Sequence, residues 1–407
     1  MRHRWLLCLF AFLVATTAPA GTVRFDVVDR SGMFEADRPT LFIASSANGW
    51  NSSGTPSSGA TETGWWFELP EREAFAPGFE FKFTRGRWQT VEVGSGGLDI
   101  ANRSITRADA RATGGGVPVV SLELAGFADQ RGSRWNMQDQ NDSSVVGRLD
   151  IVSIASEVFD RERTVRVWLP PGYDQNPDAR YPVFYMHDGQ NCFDRSTSFI
   201  GVEWQVDEAA TALINDGAIE PIIIVGIDNS GVDRSLDYLP MAPGVRAPTM
   251  RGGGADDYLN FLQNELMPHI AEHYRVDPDP AHTGIGGSSF GGVITSYAVT
   301  SRPELFGRAL IESPSLWVGD GRLMDMLGQA DAWPERVFLA MGTKEYGEPG
   351  NDARLVSLTN TLADAIRSAQ GSEDGLMLEV QDGAVHNEGA WAGRFPRALE
   401  FLYSPSR

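Results

Sequence analysis

Gly286-Gly287-Ser288-Ser289-Phe290-Gly291-Gly292 is the stretch on which the reading of the fold turns. It has the form G-x-S-x-G with Ser289 at its centre, an apolar run ending at Ile285 before it and a helix-like segment from about Val293 after it. A strand that runs through a tight turn straight into a helix holds such a serine in a strained conformation with its hydroxyl exposed. Small neighbours are needed because strand and helix nearly collide there. The free N–H groups at the start of the helix then face the site. A glycine-rich turn that contains a serine by chance has the same letters, so the surroundings have to decide.

From Leu149 onward, short apolar runs alternate with amphipathic ones. Two alternating segments, Ile151 to Phe159 and Thr164 to Leu169, predict an antiparallel edge. Buried-looking strands follow at Val183 to Met186, Ile222 to Ile227, Thr283 to Ile285, Arg308 to Ile311, Val337 to Met341 and Met377 to Val380. Between them lie amphipathic stretches such as Asp256 to Tyr274, with Tyr258, Leu262, Leu266 and Ile270 on one face, Ala353 to Ala369, and Trp391 to Tyr403. That alternation predicts an α/β fold whose mostly parallel sheet is covered on both faces. One connection, Asn229 to Gly254, is long, rich in Pro and Gly and without period. It is read either as a substrate-facing flap or as a plain insertion.

The front of the chain has another texture. Residues 21–128 alternate apolar and polar positions, as in Phe79-Glu80-Phe81-Lys82-Phe83, with Gly/Ser/Pro turns between. Antiparallel strands in a small all-β, immunoglobulin-like sandwich are expected. The polar segment 129–149 is read as a linker to a second domain over 150–407.

Arg2 and Arg4, the apolar stretch Trp5 to Val14 and Ala18-Pro19-Ala20 have the form of a secretory signal, residues 1–20, so an exported protein, periplasmic or extracellular, is expected. Cleavage after Ala20 would leave Cys192 as the one cysteine, so no internal disulfide is expected. The net charge is −20, or −22 without Arg2 and Arg4, and no Lys/Arg cluster stands out. Nucleic acid and anionic membrane surfaces are therefore poor partners.

A nucleophilic serine needs a base, and the base an orienting acid. Of the histidines after residue 20, His269 and His273 fall in a helix, His282 and His187 bound strands, and His386 lies in a turn after the last strand. His386 also follows the serine in the order Ser…acid…His. Glu345 sits just past the end of Val337 to Met341, with Glu348, Asp352 and Asp382 as competitors. The two oxyanion donors are expected to be the backbone N–H of Phe290 and that of Gln190, with Gly189 close behind. There is no cluster at metal-ligand spacing, and no metal or organic cofactor is expected.

Taken in order, Tyr185-Met186-His187-Asp188-Gly189-Gln190-Asn191, the Ser289 motif, Ser313-Pro314-Ser315-Leu316-Trp317, Gly342-Thr343-Lys344-Glu345 and His386-Asn387-Glu388 with Trp391 resemble the putative-esterase branch of the α/β-hydrolases. That branch includes feruloyl and acetyl-xylan esterases, enterochelin-type siderophore esterases, S-formylglutathione hydrolase and mycolyltransferases. The resemblance implies an α/β-hydrolase fold with Ser289 as nucleophile, Glu345 as acid and His386 as base. Many relatives have Asp where this chain has Glu345. Trp317 would lie beside the site, facing an aromatic or sugar ring or packing in the core.

The front region, through Asn48-Gly49-Trp50, Trp65-Trp66-Phe67-Glu68-Leu69, Phe79 to Phe83, Arg87 to Glu92 and Asn102-Arg103, resembles a starch-binding module of carbohydrate-binding family 20. That resemblance implies stacking of sugars on Trp50 and Trp88, with Lys82 bonding a hydroxyl. The Gly-rich stretch from Val93 to Ala101 departs from the family spacing. The expectation is an exported serine esterase acting on an acyl group of a carbohydrate, with a starch-like glucan as partner of the front domain. A periplasmic siderophore esterase, and a carbohydrate-binding protein with an inactive hydrolase domain, are the alternatives.

Overall fold

The computed structural model describes residues 21–34, 39–94, 100, 102–112, 117–130, 143–198, 201–248 and 250–405. The signal-like segment 1–20 and residues 131–142 of the expected linker lie outside them. The chain divides into two compact units, Met1–Gln130 and Arg131–Arg407.

The second unit is built on one eight-stranded sheet. Its strands are β1 (Arg148–Ser156), β2 (Arg161–Leu169), β3 (Val183–His187), β4 (Ile223–Ile227), β5 (Thr283–Ser288), β6 (Arg308–Glu312), β7 (Arg336–Gly342) and β8 (Leu376–Gln381). Their order across the sheet is β1-β2-β4-β3-β5-β6-β7-β8. From β4 to β8 all neighbours are parallel, while β2 is antiparallel to both β1 and β4. β1 already starts at Arg148, and Val146 just before it donates to Asp207 and accepts from Trp168 Nε1, so the end of the segment read as a linker is part of this unit.

Both faces of the sheet are buried, which is why the central strands read as unbroken apolar runs. On one face Val183, Tyr185, Ile223, Val225, Ile227, Ile285, Ala309 and Ile311 share a core with the helices α3 (Ala255–His273), α4 (Phe290–Ser301), α5 (Arg322–Gly328) and α6 (Pro349–Gln370). On the other, Phe184, Met186, Ile224, Leu310 and Phe338 meet α1 (Val206–Asn215) and α7 (Glu388–Tyr403). The members of the two sets alternate along each strand, as the two-residue period of a pleated strand requires.

The helix over Ala255–His273 contains one wide turn, Leu262–Leu266. Residues four apart advance about 40° around an ideal helix, so the stripe Tyr258, Leu262, Leu266, Ile270 would drift off the sheet. A π-turn takes up that drift, and all four side chains are at most 1% exposed. The segment Asn229 to Gly254 holds a short helix, α2 (Arg234–Tyr238), and is pinned down. Gly253 N donates to Leu239 O and Gly254 N to Leu236 O, and Asp237 forms a buried ion pair with Arg163 at 2.7 Å. Among the described residues no helix is long and apolar enough to cross a membrane.

The first unit has a five-stranded sheet, Gly59–Ala60, Gly64–Pro70, Thr22–Asp29, Pro118–Leu124 and Arg111–Ala112 in that order, and a four-stranded one, Thr55–Pro56, Phe42–Ser45, Glu80–Thr84 and Arg103–Ser104. A short pair, Gly126–Phe127 with Glu92–Val93, completes it. The larger sheets share one core, with Phe25 against Phe81 at 5.5 Å and Phe67 against Phe83 at 5.7 Å between ring centroids. The pairing is not wholly antiparallel as expected: Thr22–Asp29 runs parallel to Pro118–Leu124. Alternation reports which face a residue takes, and it carries no information on the direction of a distant partner.

Candidate active site

β5 extends three residues beyond its apolar run, to Ser288, and α4 begins at Phe290, earlier than the sequence suggests. Gly286-Gly287-Ser288 pair with Leu310-Ile311-Glu312 of β6 although glycine is a poor strand former. Ser289 alone makes the turn. Its backbone lies at φ 59° and ψ −117°, outside the ordinary regions for a residue with a side chain, and its N–H is held by Glu312 O at 3.0 Å. A Cβ on Gly292 would come to 3.1 Å from Glu312 O and Pro314 Cα, tighter than an ordinary contact, so glycine there eases the close approach of helix and strand.

His386 and Glu345 arrive from the ends of β8 and β7. The two loops are tied by Lys344 N to Ala384 O and His386 N to Glu345 O. His386 Nδ1 lies 2.5 Å from Glu345 Oε2. The carboxylate is 4% exposed and also accepts from Gly342 N at 2.5 Å and Ser313 Oγ at 2.8 Å. Burial pushes this carboxyl up, but the bond to and charge of His386, with the Gly342 and Ser313 donors, outweigh it and leave it below the usual range. The imidazole is bracketed by Tyr346, stacked at 5.3 Å, and by the edge of Trp391 at 5.0 Å. Trp391 Nε1 donates to Ser313 Oγ, which links the ring beside His386 to a donor on Glu345. Behind them Arg394 and Glu312 form a fully buried pair at 2.6 Å.

Ser289 Oγ makes its contact with Ser315 Oγ, at 3.4 Å, and no direct hydrogen bond joins it to His386. Such bonds are often long before substrate binds.

The turn Gly189–Asn191 follows β3, with Asp188 in the left-handed region at φ 58°. Its internal bonds run from Asn191 N and Cys192 N, which leaves the Gln190 N–H outside the pattern. The Gln190 side chain accepts from Asn229 N at 3.1 Å, and Asp188 is gripped by Arg234 at 2.6 and 2.7 Å and by Asn229 Nδ2 at 2.7 Å. Burial pushes the Asp188 carboxyl up, and the Arg234 guanidinium more than offsets it, so the group lies below the usual range. Beside it His187 is buried, bonded through Nδ1 to Tyr258 Oη, and pushed down to about 3 by burial, so it is neutral. Phe290, as the first residue of α4, has no acceptor for its N–H within the helix. Trp317 is half-buried, its ring 6.1 Å from that of Phe290.

Ser313, Ser315 and Asp188 lie in stretches that carry the family resemblance but have no role assigned there, and Tyr346 and Arg234 have no signal of their own in the sequence. Ser313-Pro314-Ser315 does follow a strand end on the same side as the other loops, and that position is the clue that was available. In the first unit Trp50 and Trp88 lie together, centroids 6.4 Å apart. The expectation for Lys82 needs correction: it is 7% exposed, and its Nζ donates to the Ile100 carbonyl. It lies on the strand face opposite the core-facing Phe81 and Phe83 and is nonetheless covered there, which commits the ammonium to the fold.

Residues 156–402, more than half of the chain, match the family model described as "Putative esterase". The chain belongs to that esterase family. It is accordingly a carboxylic ester hydrolase by family. It is 25% identical over 248 residues to the uncharacterized protein YbbA of Bacillus subtilis, a match covering 60% of this chain and 94% of that one. It is 25% identical to an endo-1,4-beta-xylanase/feruloyl esterase of Xylanibacter ruminicola over 63% of this chain but 31% of the relative. To an iron(III) enterobactin esterase of Dickeya dadantii it is 26% identical, over 49% of this chain and 44% of the relative. Among solved structures, the enterobactin esterase of Shigella flexneri shares the fold with a TM-score of 0.51 at 17% identity, over 89% of this chain and 87% of that one.

Proposed function

We propose that this esterase works through Ser289, His386 and Glu345 by an acyl-enzyme. Ser289 Oγ attacks the ester carbonyl while His386 Nε2 takes its proton. The Phe290 and Gln190 N–H groups hold the oxyanion, each worth ~3 kcal/mol in the transition state. His386 then gives the proton to the leaving alcohol, and water, deprotonated by the same nitrogen, releases the acid. The observation that carries this reading is the 2.5 Å contact of His386 Nδ1 with Glu345, which fixes the proton on Nδ1 and leaves the Nε2 lone pair to act. The test is hydrolysis of p-nitrophenyl butyrate by the protein and by Ser289→Ala. Activity that collapses in the variant supports the reading; equal activity in both contradicts it.

For the substrate, the reading is an acyl group on a carbohydrate, with Trp50 and Trp88 tethering the exported enzyme to polysaccharide. Trp50 and Trp88 are half-buried and lie side by side, and flat indole faces suit sugar rings. Unchanged mobility of the protein in starch, glycogen and xylan gels would contradict the tether. A second reading, a siderophore ester, is favoured by relatives named as enterobactin, bacillibactin and salmochelin esterases. Turnover of a cyclic catecholate triester but not of acetylated or feruloylated xylan would select it.

A further inference from the structure

Among the described residues, Arg234, Arg394 and Arg246 each meet residues of the site, and the first two are matched to carboxylates. Arg234 is paired with Asp188 and Arg394 with Glu312. Arg246 is different. It is exposed, its guanidinium carbon lies 5.5 Å from the ring centre of Trp317 and 5.9 Å from that of Tyr346, and among the described residues it forms no ion pair. Those two rings border the reacting groups, since Tyr346 stacks on His386 and Trp317 packs on Phe290. The backbone beside Arg246 is anchored: Gly319 N donates to Pro243 O at 2.9 Å, and Val245 N donates to the Asp320 carboxylate at 3.2 Å. The segment that carries this arginine is thus bonded to the segment that follows Trp317.

A guanidinium lying on aromatic faces uses its plane for the cation–π contact. Its N–H edge stays available for a carboxylate or phosphate fork. In a chain of net charge −20, a cation beside the site that no carboxylate among the described residues matches attracts negative charge against the sign of the molecule as a whole. We propose that Arg246 is the receptor for an anionic group on the substrate, so that the site selects esters that carry a carboxylate or comparable anion. The proposal rests on the esterase reading above and adds the charge class of its substrate. Trp317 and Tyr346 hold the guanidinium in place, and an aryl group of the substrate extends the same stack.

The test uses matched esters. 3-Carboxyphenyl, 3-carbamoylphenyl and 3-(trimethylammonio)phenyl butyrate vary the charge on the alcohol side, and monomethyl against dimethyl adipate varies it on the acyl side. The protein is expected to prefer the anionic member in at least one series by about tenfold or more in kcat/KM, through KM. Arg246→Gln brings the anionic-to-neutral ratio down about tenfold, Arg246→Glu inverts it, Arg246→Lys restores part of it, and added salt weakens it. Because the ratio is read within one variant, a loss of folded protein does not imitate the effect. Turnover with no charge preference in either series, or the same ratio in Arg246→Gln, overturns this proposal and leaves the esterase reading standing. No turnover of any ester overturns both.

Discussion

The imidazole half of the site and the hydroxyl half are held by different means. His386 is bonded at 2.5 Å to a carboxylate that has two further donors, with an aromatic ring on one side and an aromatic edge on another. Ser289 is positioned by its backbone instead, in a strained turn between Glu312 O and the start of α4, and among the described residues its hydroxyl has only the 3.4 Å contact with Ser315. Pre-organisation therefore resides in the imidazole half. On the mechanism proposed above, the imidazole and its carboxylate are set before substrate arrives, and the last adjustment, Oγ towards Nε2, falls to the serine hydroxyl.

If that contrast is right, variants should rank by which half they strike. Ser289→Ala is expected to lower kcat/KM on the order of 10⁴–10⁶-fold, measured on p-nitrophenyl butyrate. Glu345→Gln keeps the shape but not the charge that stabilises the imidazolium, and should lower kcat on the order of 10⁴-fold. A comparable loss in Asp382→Asn with little in Glu345→Gln would assign the acid elsewhere. Arg394→Met leaves Glu312 buried without its partner and should lower stability by about 3–5 kcal/mol in urea unfolding. Ser315→Ala removes a contact at the limit of hydrogen-bond length and should cost under about tenfold in kcat/KM. A much larger loss would mean that the hydroxyl half is more tightly organised than its distance shows.

Stability against pH sharpens the same contrast. Glu345 and Asp188 ionise more readily in the fold than in the unfolded chain. Their stabilisation is therefore present above the ordinary carboxylate range of about 4 and is lost as pH falls through their lower folded values. Asp207 has the opposite sign. Burial and the adjacent Glu208 push it up to about 8, so the fold keeps a proton that the unfolded chain has released. Stability falls as pH rises between about 4 and about 8 on its account. Asp207→Asn should raise the unfolding temperature more at pH 8 than at pH 5. An equal gain at both would refute the assignment.

Much of this was legible in the chain. Glycines on both sides of Ser289 mark a close approach, and His386 and Glu345 stand just past strand ends, where ligand-side loops of a parallel sheet gather. What the sequence does not show is how those loops lean on one another. Trp391 reaches Ser313 across 78 positions, and Arg246 meets Trp317 and Tyr346 from a loop with no period. Such contacts follow from strand order, which local alternation does not encode. The same limit explains Lys82, where an alternating strand fixes a face but not the carbonyl that will take the ammonium.

The most direct test of the account is to treat the protein with a fluorophosphonate and map the labelled peptide by mass spectrometry. Attachment at Ser289, abolished in His386→Ala, is the predicted result. Attachment at Ser315, 3.4 Å away, or no attachment in folded protein, would contradict it.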